Sequence, residues 1–322
     1  MNTAVKAIPP VNKRVRAYFA PVNRSTHSPT IFDPAQEGNF SLDAAPAPWV
    51  DLGWITKFAR KSAAKIEPVR AGSPAVAQSQ VWQQIEAQLS FEFLAWGKLQ
   101  MALAAGSQHM NLLATAAGAA NNGSGGVSAS AVPVLAGSTA SAVVVGGVNI
   151  GSFSPGQMVA VDIDYTGQTG FVGSGVSAAY VKSAASVGSD VNFIRRVSFN
   201  VTRVSGLNSG ALVLTGPLPA GVPMTTMSVV PLLGFVDREG GSFFQEWSAL
   251  FVVEGHQGDR ILYHYPRLQA MQGAGEAQVA LSGPLSQTLL AAAFRALPVS
   301  DANDGELAVC FRSYLPAAMR QI

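Results

Sequence analysis

Four histidines, one cysteine and a few spaced carboxylates are the residues of this 322-residue chain best equipped to hold a metal or move a proton. His27 and His109 stand apart from other ligand types. His256 and His264 are eight apart across a turn-forming Gln257-Gly258-Asp259, and a hairpin there would face them toward each other beside Glu254. The plainer reading of the same spacing is a partly exposed sheet face. Asp162 and Asp164 alternate in a strand-like run and would share one face, with no third cation ligand evident. The stretch Asp301-Ala-Asn303-Asp304-Gly305-Glu306 is as oxygen-rich as a calcium loop, but its glycine is fifth rather than sixth and its twelfth place is Arg312. A tight turn is expected there instead. Cys310 lies in an apolar run with no histidine near it in sequence, which fits a small buried hydrophobe better than a nucleophile.

Gly123-Ser-Gly125-Gly126 and Gly173-Ser-Gly175 lack the lysine and the following helix that a phosphate loop needs, and no Gly-x-Ser-x-Gly elbow occurs. The residues therefore predict no catalytic, cofactor-binding or metal site, and no enzyme. One further cluster stands out: Lys57, Arg60, Lys61, Lys65 and Arg70 within fourteen positions. It reads either as a solvated edge that discourages aggregation or as a subunit contact or passage for a polyanion.

The elements that carry these groups are mainly β. Residues 85–93 alternate five apolar with four polar side chains, the signature of a strand with one buried and one wet face. Residues 96–105 are helix formers stopped by Gly106. Residues 1–48 hold seven prolines and read as an extended arm lying on a surface, held in order by a neighbour and removable without unfolding the core. Residues 114–133 are an Ala/Gly/Ser/Asn linker, after which short strands are expected at 142–148, 158–165, 192–203 and 211–214. The charged, aromatic texture of 49–106 returns from 235, with strands expected at 243–253 and 260–265 and apolar runs at 285–297 and 307–315. The layout is an arm (1–48), the first half of a β-domain (49–106), an inserted β-module (107–234) and the second half (235–322).

Charge supports that division. Lys and Arg number 21 against 19 Asp and Glu, so the chain has no global basic field for gripping nucleic acid. Seven of these charges fall in the 128 residues of the inserted module and thirty-three in the other 194. No secretory leader is visible behind the early cations, because Pro9, Pro10, Pro21 and Asn23 interrupt any apolar run. No stretch supplies the roughly 20 apolar residues of a membrane helix. The single cysteine fits a reducing compartment.

At residues 49–106 the order of features resembles the major tail tube proteins of tailed bacteriophages: Trp49-Val-Asp51-Leu-Gly53-Trp54-Ile55, a basic stretch, Val69 with Gly72 three places on, then an alternating strand running into a helix of small residues. The resemblance extends more loosely to 235–316 as closing strands. It implies a tail-tube-like β-sandwich or half-barrel with a short flanking helix, six copies to a ring, and rings stacked into a tube for DNA and the tape measure protein. Implied partners are further copies of the chain, the tape measure and other tail proteins, and transient non-specific DNA, with no membrane and no cofactor. The implied location is the virion tail, assembled in the host cytoplasm. A baseplate or capsid decoration protein shares the composition. A carbohydrate-binding or hydrolytic β-sandwich, with Asp162 and Asp164 as first residues to test, and an outer-membrane barrel are the remaining readings.

Overall fold

Strand β1 (Asn12–Pro21) ends on one proline and has none inside, and both of its faces are covered: Ala17, Tyr18, Phe19 and Ala20 are fully buried. The computed structural model describes residues 12–22, 27–46, 48–106, 108–113, 131–162, 200–219, 221–238, 246–256, 258–271, 276–280, 286–301 and 303–317. Asp164, both glycine-rich stretches and most of the expected linker lie outside them. So do the residues of the strand expected at 192–203 before Asn200.

After β1, a one-turn helix α1 (Pro34–Glu37), capped by the Asp33 side chain, precedes a long antiparallel pair, β2 (Val50–Ala71) and β3 (Val76–Phe93). Helix α2 (Lys98–Ala105) ends on Gly106 at φ +59°, the left-handed stop its sequence predicts. Among the described residues seven strands follow: β4 (Gln108–Leu113), β5 (Val132–Pro133), β6 (Ala142–Val144), β7 (Met158–Asp162), β8 (Val201–Asn208), β9 (Ala211–Leu214) and β10 (Ser228–Arg238). The chain closes with β11 (Glu246–Gly255), β12 (Arg260–Ala270), β13 (Glu276–Ala280), β14 (Ser286–Leu297), the two-residue β15 (Val299–Ser300) and β16 (Leu307–Ala308), and β17 (Phe311–Leu315).

The fold is mainly β with a short helix. Its larger sheet runs β13-β14-β3-β2-β1-β11-β12-β17, and β14 also pairs with β12 over Arg267–Ala270 and Phe294–Leu297. That extra pairing closes β14, β3, β2, β1, β11 and β12 into a circuit of six strands, a fuller closure than a half-barrel. Period-2 alternation aims one set of side chains inward: Phe19, Phe91, Phe93, Phe251 and Phe294, with Leu99 and Leu103 of α2 joining them. Phe19 meets Phe91, Phe251 and Phe294 at ring-centroid distances of 6.4, 5.9 and 5.5 Å. The barrel is therefore a packed core and not a pore.

The opposite face of β1 corrects the expectation of a surface arm. Tyr18 and Ala20 point outward with Leu250, Val252 and Leu262, and Phe32, Phe40, Leu42 and Trp49 of the chain's own residues 27–49 cover them. Hydrogen bonds fix that cover: Tyr18 Oη donates to the Leu42 carbonyl at 2.8 Å and Arg260 Nη1 to the Phe40 carbonyl at 2.8 Å. The prolines at 29, 34, 46 and 48 belong to this covering layer, where no ladder needs the N–H that proline lacks. Residues 12–21 are an inner strand of the barrel, ordered by pairing with β2 and β11 of the same chain.

Strands β4 to β10 form a separate sheet, ordered β4-β10-β7-β8-β9-β6 with β5 on β10. Its own apolar core includes Val143, Phe153, Val159, Val204, Leu212 and Val229.

Candidate functional site

The five basic residues all fall on β2, and the structure splits them. Strand β1 pairs with β2 only between Val50 and Ile55, and β14 with β3 only between Ala87 and Phe93. Beyond those limits β2 and β3 pair with each other alone, out to Ala71 opposite Val76 and a four-residue turn with Gly72 at φ +96°. From Ala59 to Val81 every residue is exposed. The ribbon projects about 40 Å from the barrel at roughly 3.3 Å per residue. Three register shifts, between Thr56 and Ala59, Lys65 and Ile66, and Val69 and Arg70, interrupt its ladder and add twist. Lys57 takes positive φ (+52°) at the first of them.

Lys57 and Arg60 sit at the ribbon's root. Lys57 Nζ donates to Glu92 Oε1 at 2.8 Å; Glu92 is the one acidic side chain buried on the wet face of β3, and its Oε2 has no hydrogen-bond partner among the described residues. Arg60 leans across the barrel mouth: Nε donates to the Tyr265 hydroxyl, the guanidinium lies 4.2 Å from the Tyr263 ring centre, and Nη2 is 3.6 Å from Cys310 Sγ. Burial works against the Arg60 charge, but the Tyr265 hydrogen bond and neighbouring groups hold its pKa above the ordinary arginine value. Burial pushes the Tyr265 phenol up to about 12 and raises the Cys310 thiol as well. Cys310 is thus partly buried against the core and protonated at neutral pH, the opposite of a nucleophile's setting. Lys61, Lys65 and Arg70 stand out on the ribbon, Lys65 with Glu67 at 3.2 Å.

Exposed apolar side chains accompany these cations. Ile66, Val69, Val76, Val81 and Ile85 are between 42% and 53% exposed. A two-stranded ribbon is marginal in water by itself, and one that carries this apolar surface gains stability from whatever packs on it. The sequence pattern starts the strand at 85 and treats 57–70 only as a basic cluster, so it does not show the ribbon. The available signal was the Gly72-Ser73-Pro74 turn with β-branched residues on both flanks.

The other candidate groups are not brought together. Leu250 is opposite His264 across β11 and β12, which leaves His256 exposed at the hairpin end. His264 is buried between Phe311 and Trp49, and burial lowers its pKa to about 4 despite the nearby Thr30 carbonyl. Asp162 is fully buried at the end of β7. Asp301 and Asn303 to Glu306 make the contacts of the tight turn their sequence predicts: Gly305 N–H donates to the Asp301 carbonyl, the Asn303 N–H to the Asp301 side chain, and Gly305 takes φ +77°. Among the described residues no group of three His, Cys, Asp or Glu is placed to hold a metal ion, and no helix is long and apolar enough to cross a membrane.

Compared with known proteins, the chain matches no family model and no curated sequence.

Proposed function

We propose that this chain is a structural subunit that assembles with copies of itself, as the stacked hexameric rings of a virion tail tube through which DNA passes. The observation that carries the reading is the projecting ribbon from Ala59 to Val81, exposed throughout and unpaired beyond itself. Such an element costs ordering entropy and exposes apolar surface in a lone subunit, and both costs are offset when another copy covers it. The packed interior adds a second constraint: a passage for DNA has to run between subunits, since Phe19, Phe91 and Phe294 fill the barrel. A net charge of +2 suits a conduit, because each extra phosphate contact would slow transit. In this reading the tape measure and other tail proteins are the remaining partners.

A baseplate or capsid decoration role predicts a single closed ring or trimer from the same ribbon. The carbohydrate-binding reading loses its first residue, because fully buried Asp162 offers no face to a ligand. Negative-stain microscopy of the purified chain separates the outcomes. Long hollow tubes support the tail-tube reading and lone rings support the second. Stable monomers at high concentration would sink both.

A further inference from the structure

The barrel carries a groove that matches the ribbon's tip. It lies on the outer face of β12, between residues 27–34 and 298–313, with a volume of about 790 Å³. Pro29, Ile31, Phe32, Leu262, Pro298 and Phe311 give it an apolar lining. Ile31 and Leu307 are each more than 60% exposed nearby. Acidic side chains gather at the same place: Asp301 lines the groove, Asp304 and Glu306 follow it on the exposed turn, and Asp33 sits between two lining residues. Arg312 is the main opposing charge, since Arg267 is taken up by Glu246 at 2.8 Å. The ribbon tip has the complementary make-up: exposed Val69 and Val76, with Arg70 between Val69 and the turn.

A second cleft, of about 470 Å³ at the ribbon's root, is a poor receiver for such a tip because Arg14, Lys57 and Arg60 line it. Strand order then decides whose tip fills the groove. In the six-strand circuit β2 is three steps from β12 in either direction, on the opposite wall, and the groove is on β12's outer face. The tip, about 40 Å out along a ribbon rooted on that wall, is therefore offered to another copy's groove.

We infer that the ribbon tip of one copy seats in the β12 groove of a second, with Val69 and Val76 on its apolar lining and Arg70 against the carboxylates of the 301–306 turn. The inference rests on the assembly reading above and names its contact. Ribbon and groove are different surfaces on opposite walls, so the contact is head-to-tail. Each bound pair keeps one free ribbon and one free groove, which permits ring closure or continued stacking.

The test compares the parent with three variants of the full chain, followed by sedimentation velocity. Arg70→Glu disables the tip. Asp304→Asn with Glu306→Lys disables the groove, and the asparagine keeps a side-chain acceptor for the Glu306 N–H. Each should raise the concentration needed for assembly at least about tenfold through like-charge contact, with an unchanged far-ultraviolet circular dichroism melt. Mixed together, the two variants retain one good tip and one good groove, so they should form a 1:1 dimer that grows no further. All three changes in one chain should restore higher assembly. Variants that assemble as the parent does, or a mixture that stays monomeric, would overturn this contact while leaving the assembly reading intact. A parent chain that stays monomeric at high concentration would overturn both.

Discussion

Arg16 holds Asp51 through two arms of its guanidinium: Nε donates to Oδ1 at 2.9 Å and Nη2 to Oδ2, while Nη1 reaches Asp43 at 2.6 Å. The arginine lies on the outward face of β1, Asp51 on β2 and Asp43 in the covering layer, so one side chain ties together three separate stretches of chain. The hydrogen bonds to Asp51 raise its pKa further above the ordinary arginine value, although burial opposes them. Arg16→Ala should therefore cost about 2 kcal/mol, the range for charged hydrogen bonds, read as a lower urea midpoint. Arg16→Lys should recover part of it but not the paired geometry. Arg14→Ala is the control: Arg14 bonds Glu254 at 2.6 Å but its side chain is 44% exposed, and less than about 1 kcal/mol should be lost.

Removal of residues 1–21 should abolish the cooperative unfolding transition. The deletion takes out β1, which lies between β2 and β11 and supplies Phe19 to the interior and Tyr18 to the outer layer. Differential scanning calorimetry of the truncated chain should show no sharp endotherm. A melt close to that of the intact chain would mean that β1 does not hold the circuit closed.

What the sequence made legible was local. Alternation at 85–93 placed Ala87, Leu89, Phe91 and Phe93 inward, as found, whereas Ile85 at the same period is exposed because it lies on the ribbon beyond the pairing with β14; the residues 211–214 are β9 to the residue. Gly106 stops α2 because its φ needs no side chain. Strand β1 was hidden for a physical reason. Both faces are covered, so Val15 to Phe19 show no clean alternation, and Arg16 looks like a solvent residue until Asp43 and Asp51 are brought to it from 27 and 35 positions away. Closure of the barrel is equally invisible in a linear pattern, because it depends on four residue pairs joining β12 to β14.

Core packing gives a second prediction for the interior. Phe19 lies within 6.5 Å, ring centre to ring centre, of Phe91, Trp247, Phe251 and Phe294, and nothing nearby is free to collapse into its place. Phe19→Ala should cost about 3 to 5 kcal/mol by chemical denaturation, and Phe19→Leu clearly less.

His264 should make stability depend on pH. Its neutral ring is buried, with Nε2 3.2 Å from the Thr30 carbonyl, and its pKa is about 4 in the fold against an ordinary 6.5. The unfolded chain binds the proton first, so this contribution is complete above pH 6.5, falls away as the pH drops toward 4, and is flat below. Its ceiling is about 3 kcal/mol. His264→Phe keeps an aromatic ring beside Phe311 and cannot titrate. Between pH 7 and pH 5 the variant's Tm should fall less than the parent's, and equal falls would show that His264 is not the group responsible.

Excision of the ribbon separates folding from assembly most directly. Ala63 pairs with Glu86, so residues 64–85 can be replaced by Asn-Gly, a two-residue turn whose twist matches an antiparallel pair. The shortened strands keep every pairing with β1 and β14, since those lie at 50–55 on β2 and at 87–93 on β3. Arg60 and Lys57 also stay in place at the root. The exposed apolar side chains lost are Ile66, Val69, Val76, Val81 and Ile85, none of which packs on the barrel cores. The melt should therefore match the parent's, and light scattering should report a monomer at concentrations where the parent assembles. A shortened chain that still builds large assemblies would move the contact to other surfaces, and one that fails to fold would show that the ribbon stabilises the barrel from which it projects.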